Sequence, residues 1–478
     1  MVGIAGTGIV GITGWSTYVP RLRLDRRLIN QAWGTAQLAG TRAVANYDED
    51  ALTMATEAVR ALLGENGGSV RGLYFASASA PYWEKQIAAV IATACDLPRR
   101  LFTADYSGSA RAGTAALIAA LRAAQAGAAD DAVVAAADVR VGSPESELEG
   151  LLGDAAAAVR VGTEQVAAEF IDAESIAEEF TYLWRIDSDR YVQAQPGRFS
   201  SQFGYARDLS EAIGALLERN RLSPKDISKL ALYSPDARAA SDLAKSMGFD
   251  PKTQLTPSLV PTIGCAGSAE AFLQLAAVLE GAKPGDWVIV GSFGEGADAL
   301  LFRVTDAIAQ AQPASRLREW IDAGVPLASY ERYLKFRRIV EGDEPTEAIA
   351  NVLEFKELKQ DVRLYGSRCR SCGMVQFPIA RVCLKCRGRE LEDHRLARRG
   401  GVFTFTVDHL IANIEHPLIM SVIDLDGGGR IYLQTTDVAA DAVQVGTRVT
   451  LTFRRLHEGG GNHNYFWKAR PVRVRGDA

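Results

Sequence analysis

Four of the six cysteines form the clearest chemical motif in the chain. Two residues lie between Cys369 and Cys372, and two lie between Cys383 and Cys386. Ten residues separate the two pairs. Each Cys-x-x-Cys turn can place two thiolates on one ion, and two turns complete a tetrahedron. Because four protein ligands leave no open position, we expect a structural Zn²⁺ site. Iron in a rubredoxin-like site has the same ligand set and stays open as an alternative.

Histidine, the usual general acid/base near neutral pH, is confined to the C-terminal part of the chain. The first 393 residues contain none, and the five histidines are His394, His409, His416, His457 and His463. A catalytic Cys–His pair formed within the first 393 residues is therefore excluded. His463 stands in a glycine-rich stretch, which predicts a histidine on a surface loop; a loop that reaches toward the pocket of the large domain is the less favoured alternative.

Two further residues precede or begin a helix in the middle of the chain. Cys265 follows Gly264 and comes before a predicted helix that starts near Ser268. A helix N-terminus lowers the pKa of a thiol, which would suit a nucleophile. A small residue at a tight internal turn is the more common reason for such a cysteine. Glu270 is either a pocket acid or a charge at the helix N-terminus, and the second interpretation is favoured.

Alanine-rich helical segments alternate with short β-branched segments through the first 305 residues. Helices are predicted at 48–63 and 113–126, and strands at 72–76 and 132–137. Such alternation is typical of an α/β layered domain.

The same order of elements occurs twice. The segment from Ala112 (AGTAALIAALRAAQAGAADDAVV) is echoed by the segment from Cys265 (CAGSAEAFLQLAAVLEGAKPGDWVIV). The strands GLYFASASA and KLALYSPDA form a second matched pair, and a glycine-led strand ends each half. We predict two copies of one unit, at about 1–165 and 166–305, related by a pseudo-twofold axis.

The C-terminal third has a different character. A charged helical tail to about residue 340 and a linker at 341–362 precede the cysteine motif, which predicts a zinc ribbon at 363–392. Five alternating strands with glycine-rich turns then predict an OB-like β-barrel at 393–478. Basic residues crowd the ribbon, which suits single-stranded nucleic acid, the phosphates of coenzyme A or an acidic partner. Five aromatics are expected to fill the barrel core more often than to stack on bases: Phe403, Phe405, Tyr465, Phe466 and Trp467.

The overall composition and charge argue against several classes of protein. The net charge of −5 disfavours a nucleic-acid binder. No apolar run of 18 residues is free of charge and glycine, so we expect no membrane span. Residues 1–15 contain no Lys or Arg, unlike a signal peptide. These features and the cysteine usage predict a cytoplasmic protein.

Over residues 1–340 the chain resembles the hydroxymethylglutaryl-CoA synthases of the thiolase superfamily, especially the archaeal type. The matching segments include GIVGITGWSTYVPRLRLDRRLINQAWG, ADYSGSARAGTAAL and LLGDAAAAVRVG. The C-terminal part resembles the zinc-ribbon/OB-fold family that accompanies thiolases and binds acyl-CoA. The resemblance implies a duplicated thiolase-like α/β fold with five layers, αβαβα. It also implies a coenzyme A thioester as substrate, a homodimer through the thiolase-like domain and a thiolase as a further partner.

The family's active residues do not carry over to this chain. Ala110 stands at the position of the nucleophilic cysteine, and Ala78 at that of the acid/base glutamate. Tyr233 replaces the histidine, and Cys265 replaces an asparagine. Because alanine cannot form a thioester, an acyl-enzyme at residue 110 is excluded, and with it a working hydroxymethylglutaryl-CoA synthase.

Thiolase-fold lyases that work with a zinc-ribbon/OB partner use tyrosine for proton transfer, and by this resemblance Tyr233 is the first catalytic candidate. Asp236, Ser109, Cys265 and Tyr106 follow it. The predicted cofactor-binding residues are Arg111, Ser268 and His463.

Three functions compete. The favoured one is an enzyme that makes or breaks a C–C bond next to a CoA thioester, by an aldol, retro-aldol or Claisen-type reaction without a cysteine acyl-enzyme. The alternative is a non-catalytic scaffold that binds acyl-CoA and docks an active thiolase. Nucleic-acid binding is the third and the least favoured.

Overall fold

The protein forms two compact units. The computed structural model describes residues 8–35, 38–64, 67–187, 189–234, 236, 238–313, 315–340, 351–410, 417–459 and 461–474. The first unit contains the described residues of Met1–Ala45, Asp50–Ala92 and Leu97–Tyr333. The second contains Asn46–Glu49, Thr93–Asp96 and the described residues of Leu334–Ala478.

The elements follow in chain order. The strands up to residue 326 are β1 Gly11–Tyr18, β2 Leu22–Asp25, β3 Thr41–Val44, β4 Gly72–Ala76, β5 Phe102–Tyr106, β6 Asp131–Asp138, β7 Ala155–Gly162, β8 Ala168–Ala177, β9 Leu183–Trp184, β10 Gln193–Ala194, β11 Lys229–Leu232, β12 Trp287–Phe293, β13 Gly296–Val304 and β14 Val325–Pro326. The helices up to residue 336 are α1 Arg26–Trp33, α2 Ala51–Leu63, α3 Ile87–Ala94, α4 Ala112–Gln125, α5 Glu147–Leu151, α6 Gly197–Ser200, α7 Ala206–Arg219, α8 Ala239–Ser246, α9 Glu270–Leu279, α10 Leu317–Asp322 and α11 Tyr330–Phe336. The remaining elements are α12 Asn351–Asp361, β15 Tyr365–Cys369, β16 Val375–Gln376, β17 Leu391–Arg395, β18 Arg399–Asp408, β19 Leu418–Leu425, β20 Arg430–Thr435, β21 Arg448–Gly459 and β22 Asn462–Pro471.

The first unit contains the duplication predicted from the sequence repeat. Its sheet has the order β11-β12-β13-β8-β1-β7-β6-β4-β5. In the first half β4 is parallel to β6, and β6–β7 and β7–β1 are antiparallel. In the second half β11 is parallel to β12, and β12–β13 and β13–β8 are antiparallel. A parallel bridge from Leu230 to Leu255 takes the place that β5 has beside β4.

Helices cover both faces of each half. Helix α2 packs on β1, β6 and β7, and α7 packs on β8, β12 and β13. Helices α4 and α9 contact each other between the halves, which gives the αβαβα layering. Helix α2 begins at a capping box, because the Asp50 carboxylate accepts the Thr53 N–H and the Thr53 hydroxyl accepts the Asp50 N–H.

The second unit combines a ribbon with a barrel. Strands β16, β15 and β17 form a small antiparallel sheet, and β18-β19-β20-β22-β21 close into a barrel. The barrel interior holds Phe453, Tyr465 and Trp467, and the ring centroids of Phe453 and Trp467 are 5.2 Å apart. Phe403 is 48% exposed, so the expectation of core aromatics fails for this residue.

A buried ion network lies in the second unit. Arg454 pairs with Asp48 at 2.9 Å, Glu49 at 3.1 Å and Asp437 at 2.6 Å. Lys468 pairs with Asp48 at 2.8 Å. These side chains are at most 1% exposed, so each charge depends on its partners rather than on water.

Several predicted boundaries are matched closely. The helix at 48–63 begins at Ala51 after its cap, and the strand at 72–76 is β4. The predicted linker at 341–362 lies outside the described residues as far as 350, and 351–361 form α12. His463 lies on β22, so the glycine-rich loop predicted for it is wrong. Within the described residues, no helix has the length and apolarity needed to cross a membrane.

Candidate functional site

The N-terminal ends of α4 and α9 meet at the centre of the first unit. A Cβ on Gly113 would lie 2.3 Å from the Ser268 carbonyl oxygen, so only glycine permits this approach. Asp138, at the end of β6 and fully buried, accepts the Ser268 N–H at 2.7 Å. The same carboxylate accepts the Ala78 N–H at 2.8 Å. One carboxylate therefore joins the segments of both halves that carry predicted site positions.

Beside this junction lies a buried cluster of two tyrosines, a cysteine and an arginine, here called the tyrosine cluster: Tyr182, Tyr233, Cys265 and Arg140. The hydroxyls of Tyr182 and Tyr233 are 3.1 Å apart. The Cys265 Sγ lies 3.6 Å from the Tyr233 hydroxyl and 3.6 Å from Nη2 of Arg140. Ala110 belongs to the same buried core. Positions 233 and 265 are thus in contact, and position 110 belongs to the hydrophobic core that includes both.

Backbone hydrogen bonds position two members of the tyrosine cluster. Tyr233 follows β11, and its N–H donates to the Gly291 carbonyl at 2.8 Å while its carbonyl accepts the Tyr205 hydroxyl at 2.7 Å. Cys265 pairs in parallel with Leu152, and its N–H donates to the Leu151 carbonyl at 2.8 Å. The backbone at Tyr233 and Cys265 is therefore held by neighbouring segments.

Burial governs the protonation of the cluster. It raises the pKa of Tyr233 well above its ordinary value, and it also raises the pKa of Tyr182. Burial likewise raises the pKa of the Cys265 thiol, against the opposing effect of the Arg140 guanidinium. This direction opposes the less favoured interpretation of Cys265 as a nucleophile activated by a helix N-terminus, because loss of hydration outweighs the nearby N–H groups. The tyrosines are neutral hydrogen-bond donors near neutral pH.

Glu270 begins α9 and is fully buried. One carboxylate oxygen accepts the Ala266 N–H at 2.9 Å, and the other has no hydrogen-bond partner among the described residues. Burial raises its pKa to about 7. Glu270 thus lies at the N-terminus of α9, as the favoured interpretation has it, and its burial favours the neutral acid more than exposure to water would.

The other predicted site residues of the first unit are engaged by neighbours. The Arg111 guanidinium pairs with Asp298 at 2.8 Å. The Ser109 hydroxyl donates to the Gly294 carbonyl at 3.2 Å. The Asp236 carboxylate accepts the N–H groups of Arg238 at 2.6 Å and Ala239 at 2.9 Å, at the start of α8.

Three predicted residues remain. Ser268 donates its hydroxyl to the Ser109 carbonyl at 3.4 Å, at the helix junction. Tyr106 ends β5, with its ring 6.2 Å from that of Tyr74. His463 lies in the second unit, with Nδ1 3.0 Å from a Glu458 oxygen. Hydrogen bonding to His463 is the main cause that lowers the pKa of Glu458 to about 2.

The cysteine motif forms the metal centre of the second unit. The four Sγ atoms of Cys369, Cys372, Cys383 and Cys386 lie within 4.8 Å of one another. The pairs 369–386 and 372–383 are each 3.6 Å apart. A tetrahedral zinc with bonds of about 2.3 Å sets its sulfur ligands about 3.8 Å apart, so the site fits zinc. Four protein ligands make the centre structural.

Tyr182 and Arg140 were not predicted from the sequence. Tyr182 lies on an irregular segment 51 positions before its partner Tyr233. Arg140 comes just after the buried strand β6, and a charge placed at the end of a buried strand was the one available signal.

Comparison with known proteins agrees with this architecture. The hydroxymethylglutaryl-CoA synthase of Caldivirga maquilingensis is 32% identical over 345 residues, covering 69% of this chain and 98% of that protein. The chain belongs to the hydroxymethylglutaryl-CoA synthase family. The synthase of Methanosarcina acetivorans is 31% identical over 344 residues, with the same two coverages.

A solved structure and two family models complete the comparison. A crystal structure of HMG-CoA synthase complexed with CoA has a TM-score of 0.62 and 17% identity, covering 72% of this chain and 94% of that one. This likeness shows the thiolase-like fold. The model of the ChsH2 rubredoxin-like zinc ribbon domain matches residues 357–392, and that of the ChsH2 C-terminal OB-fold domain matches 393–454. The predicted synthase-like domain, ribbon and OB fold are therefore confirmed.

Proposed function

We propose that this protein binds an acyl-CoA and makes or breaks a C–C bond next to its thioester carbonyl without forming a cysteine acyl-enzyme. The tyrosine cluster carries the proposal. It contains Tyr233 and Cys265, which stand at the positions that the family resemblance assigns to the acid/base histidine and the asparagine. Ala110, at the position of the nucleophile, belongs to the same hydrophobic core. Binding of coenzyme A by a related synthase supports a CoA thioester as the substrate.

The chemistry follows from a neutral tyrosine in a dry site. In the bond-forming direction, a base removes a proton from the acyl α-carbon while the Tyr233 hydroxyl donates a hydrogen bond to the thioester oxygen and stabilises the enolate. The enolate attacks a carbonyl carbon, a new C–C bond forms, and the alkoxide oxygen takes the proton that the base removed. The reverse sequence breaks the bond. Burial keeps Tyr233 protonated, as this role requires.

Proton exchange at the α-carbon tests the proposal without knowledge of the second substrate. Acetyl-CoA is incubated with the protein in D₂O, and loss of the methyl proton signal is followed by NMR. We expect the native protein to catalyse exchange and Tyr233→Phe to lower the rate about 10²–10³-fold, the usual effect of losing one preorganised donor. Tyr18→Phe, a buried tyrosine outside the cluster, is the control. Equal rates for Tyr233→Phe and the native protein would refute the role of Tyr233.

The scaffold function is the second candidate, and one observation favours it. Tyr233 and Tyr182 are closed over by protein and already satisfy each other's hydroxyls. A scaffold would bind acetyl-CoA but catalyse no exchange in D₂O. Restored thiolase activity on adding this chain to a thiolase would then support a docking role.

We further propose a homodimer formed through the first unit. Strand β5 is at the end of the sheet, and its Phe102 is 59% exposed. An unpaired edge with an exposed aromatic suits strand-to-strand pairing. Light scattering should give twice the chain mass, and Phe102→Lys should give monomers. The grouping of four of the six cysteines in one metal-binding cluster supports a cytoplasmic location as part of the same proposal.

A further inference from the structure

A glutamate with a strained backbone lies in the turn between β12 and β13. Glu295 has a φ of 46°, in the left-handed region that L side chains rarely adopt. Two hydrogen bonds hold the turn, because the Glu295 carbonyl accepts the Glu178 N–H and Nη2 of Arg111, each at 3.4 Å. Strained backbone that neighbouring segments hold in place occurs preferentially at functional sites.

The turn lies against the start of α4, beside the position that the family resemblance assigns to the nucleophile. A Cβ on Gly294 would lie 2.5 Å from the Ser109 Oγ and 3.3 Å from the Ala110 nitrogen, so only glycine permits this approach. The Ser109 hydroxyl also donates to the Gly294 carbonyl at 3.2 Å. Glu295 is therefore carried by a turn that packs directly on Ser109 and Ala110.

The sheet brings the same turn to the tyrosine cluster. Strands β11 and β12 are parallel neighbours. Tyr233 is the first residue after β11, and Glu295 is the second residue after β12. Phe293, the last residue of β12, has its ring centroid 5.0 Å from that of Tyr182. Because the carboxyl ends of parallel strands meet at one edge of a sheet, Tyr233 and Glu295 leave the sheet at the same edge, where α/β sheets typically bind their ligands.

The Glu295 carboxylate is able to accept a proton. One of its oxygens is buried and has no hydrogen-bond partner in the part of the chain that the structure describes. The residue as a whole is only partly buried. Burial raises the pKa of this carboxyl, against the opposing effects of the Ser109 hydroxyl and the Arg111 guanidinium, and a raised pKa makes the carboxylate a stronger base.

Two other carboxylates of the first unit are less suited to this task. Both oxygens of Asp298 are engaged, one by Arg111 at 2.8 Å and the other by the Thr114 hydroxyl at 2.8 Å. Glu270 is fully buried. Glu295 combines an oxygen without a partner with partial exposure, which a base that meets a substrate requires.

We propose that the Glu295 carboxylate is the base that removes the proton from the acyl α-carbon while the thioester oxygen accepts the Tyr233 hydroxyl. This inference rests on the proposed function and identifies the base that its reaction needs. A carboxylate oxygen bonds to the proton, the electron pair of the C–H bond becomes the C=C bond of the enolate, and the carbonyl π electrons move to the thioester oxygen. The carboxyl group then gives its proton to the alkoxide that C–C bond formation produces.

Proton exchange of acetyl-CoA in D₂O tests this role without the second substrate. Glu295→Gln keeps the shape of the side chain but cannot take the proton, so we expect the exchange rate to fall about 10²–10⁴-fold, the usual contribution of a general base. Glu280→Gln is the matched control, because burial also raises the pKa of Glu280, which lies at the end of α9. This control should exchange at the native rate.

Chemical rescue separates a base from a residue that only shapes the turn. Glu295→Gly removes the carboxylate and accepts the left-handed backbone, so it should fold like the native protein and lose exchange. Formate is a small carboxylate that can enter the space left by the side chain. We expect added formate to raise the exchange rate of Glu295→Gly in proportion to its concentration, and to leave the rate of Tyr233→Phe unchanged.

The outcomes separate the inference from the proposed function. Native exchange that Glu295→Gln retains in full would overturn the inference and leave the proposed function standing. Loss of exchange in Glu295→Gly that formate does not restore would give Glu295 a structural role, which also overturns the inference. Absence of exchange in the native protein would overturn the proposed function and the inference together.

Discussion

Replacement of the buried acid Glu270 by glutamine should change how stability depends on pH. Burial raises the pKa of this carboxyl from 4.5 to about 7. Between these values the unfolded chain loses the proton while the folded chain keeps it, so the free energy of unfolding falls as pH rises. Below pH 4.5 both states are protonated and the effect vanishes. Glutamine keeps the shape and cannot ionise, so Glu270→Gln should remove this loss.

The magnitude follows from the same pKa difference. A tenfold change in proton affinity corresponds to about 1.4 kcal/mol, so at pH 8 the buried charge costs about 3 kcal/mol. Denaturant unfolding at pH 5 and pH 8, followed by tryptophan fluorescence, measures the change. Between pH 5 and pH 8, the free energy of unfolding should fall by up to about 3 kcal/mol more in the native protein than in Glu270→Gln. Glu218→Gln, on the exposed side of α7, is the control. Parallel pH profiles for Glu270→Gln and the native protein would refute the reasoning.

Two predictions concern the second unit. Arg454→Met should lower its stability by about 3–5 kcal/mol in calorimetry, because Asp437 would lose its arginine while it stays buried and Asp48 would keep only Lys468. Arg448→Met, which breaks an exposed pair, should cost less than about 1 kcal/mol, and equal losses would contradict this account. Cys372→Ser should lower the bound zinc from one ion per chain, measured by elemental analysis, and broaden or abolish unfolding of this unit. Zinc content unchanged in Cys372→Ser would exclude the four-cysteine site.

The fold and the metal centre could be predicted because their signals are local. A β-branched run and its following helix determine each βα unit, and the second copy of the pattern reveals the duplication. The spacing of Cys369 and Cys372 alone implies a metal-binding turn. The barrel strands likewise show the alternation of inward and outward side chains, as in β19, where buried and less buried residues alternate.

The tyrosine cluster could be predicted only in part. Tyr233 was found through its family position, but its partner Tyr182 comes from a segment without regular periodicity. For Cys265 the sequence left a thiol activated by a helix N-terminus open as the less favoured alternative, and burial instead raises the pKa of this thiol. A helix N-terminus is visible in a sequence, whereas the loss of hydration that dominates in this cluster depends on packing from several distant segments. The same loss of hydration explains why Glu270 is more than a helix-end charge.

A crystal structure of the full chain with acetyl-CoA tests the central claim most directly. The account predicts that the thioester carbonyl oxygen lies within about 3.2 Å of the Tyr233 hydroxyl, with the acetyl group still attached to coenzyme A and no bond to residue 110 or Cys265. Coenzyme A bound away from the tyrosine cluster, or an acetyl group transferred to the Cys265 sulfur, would contradict it.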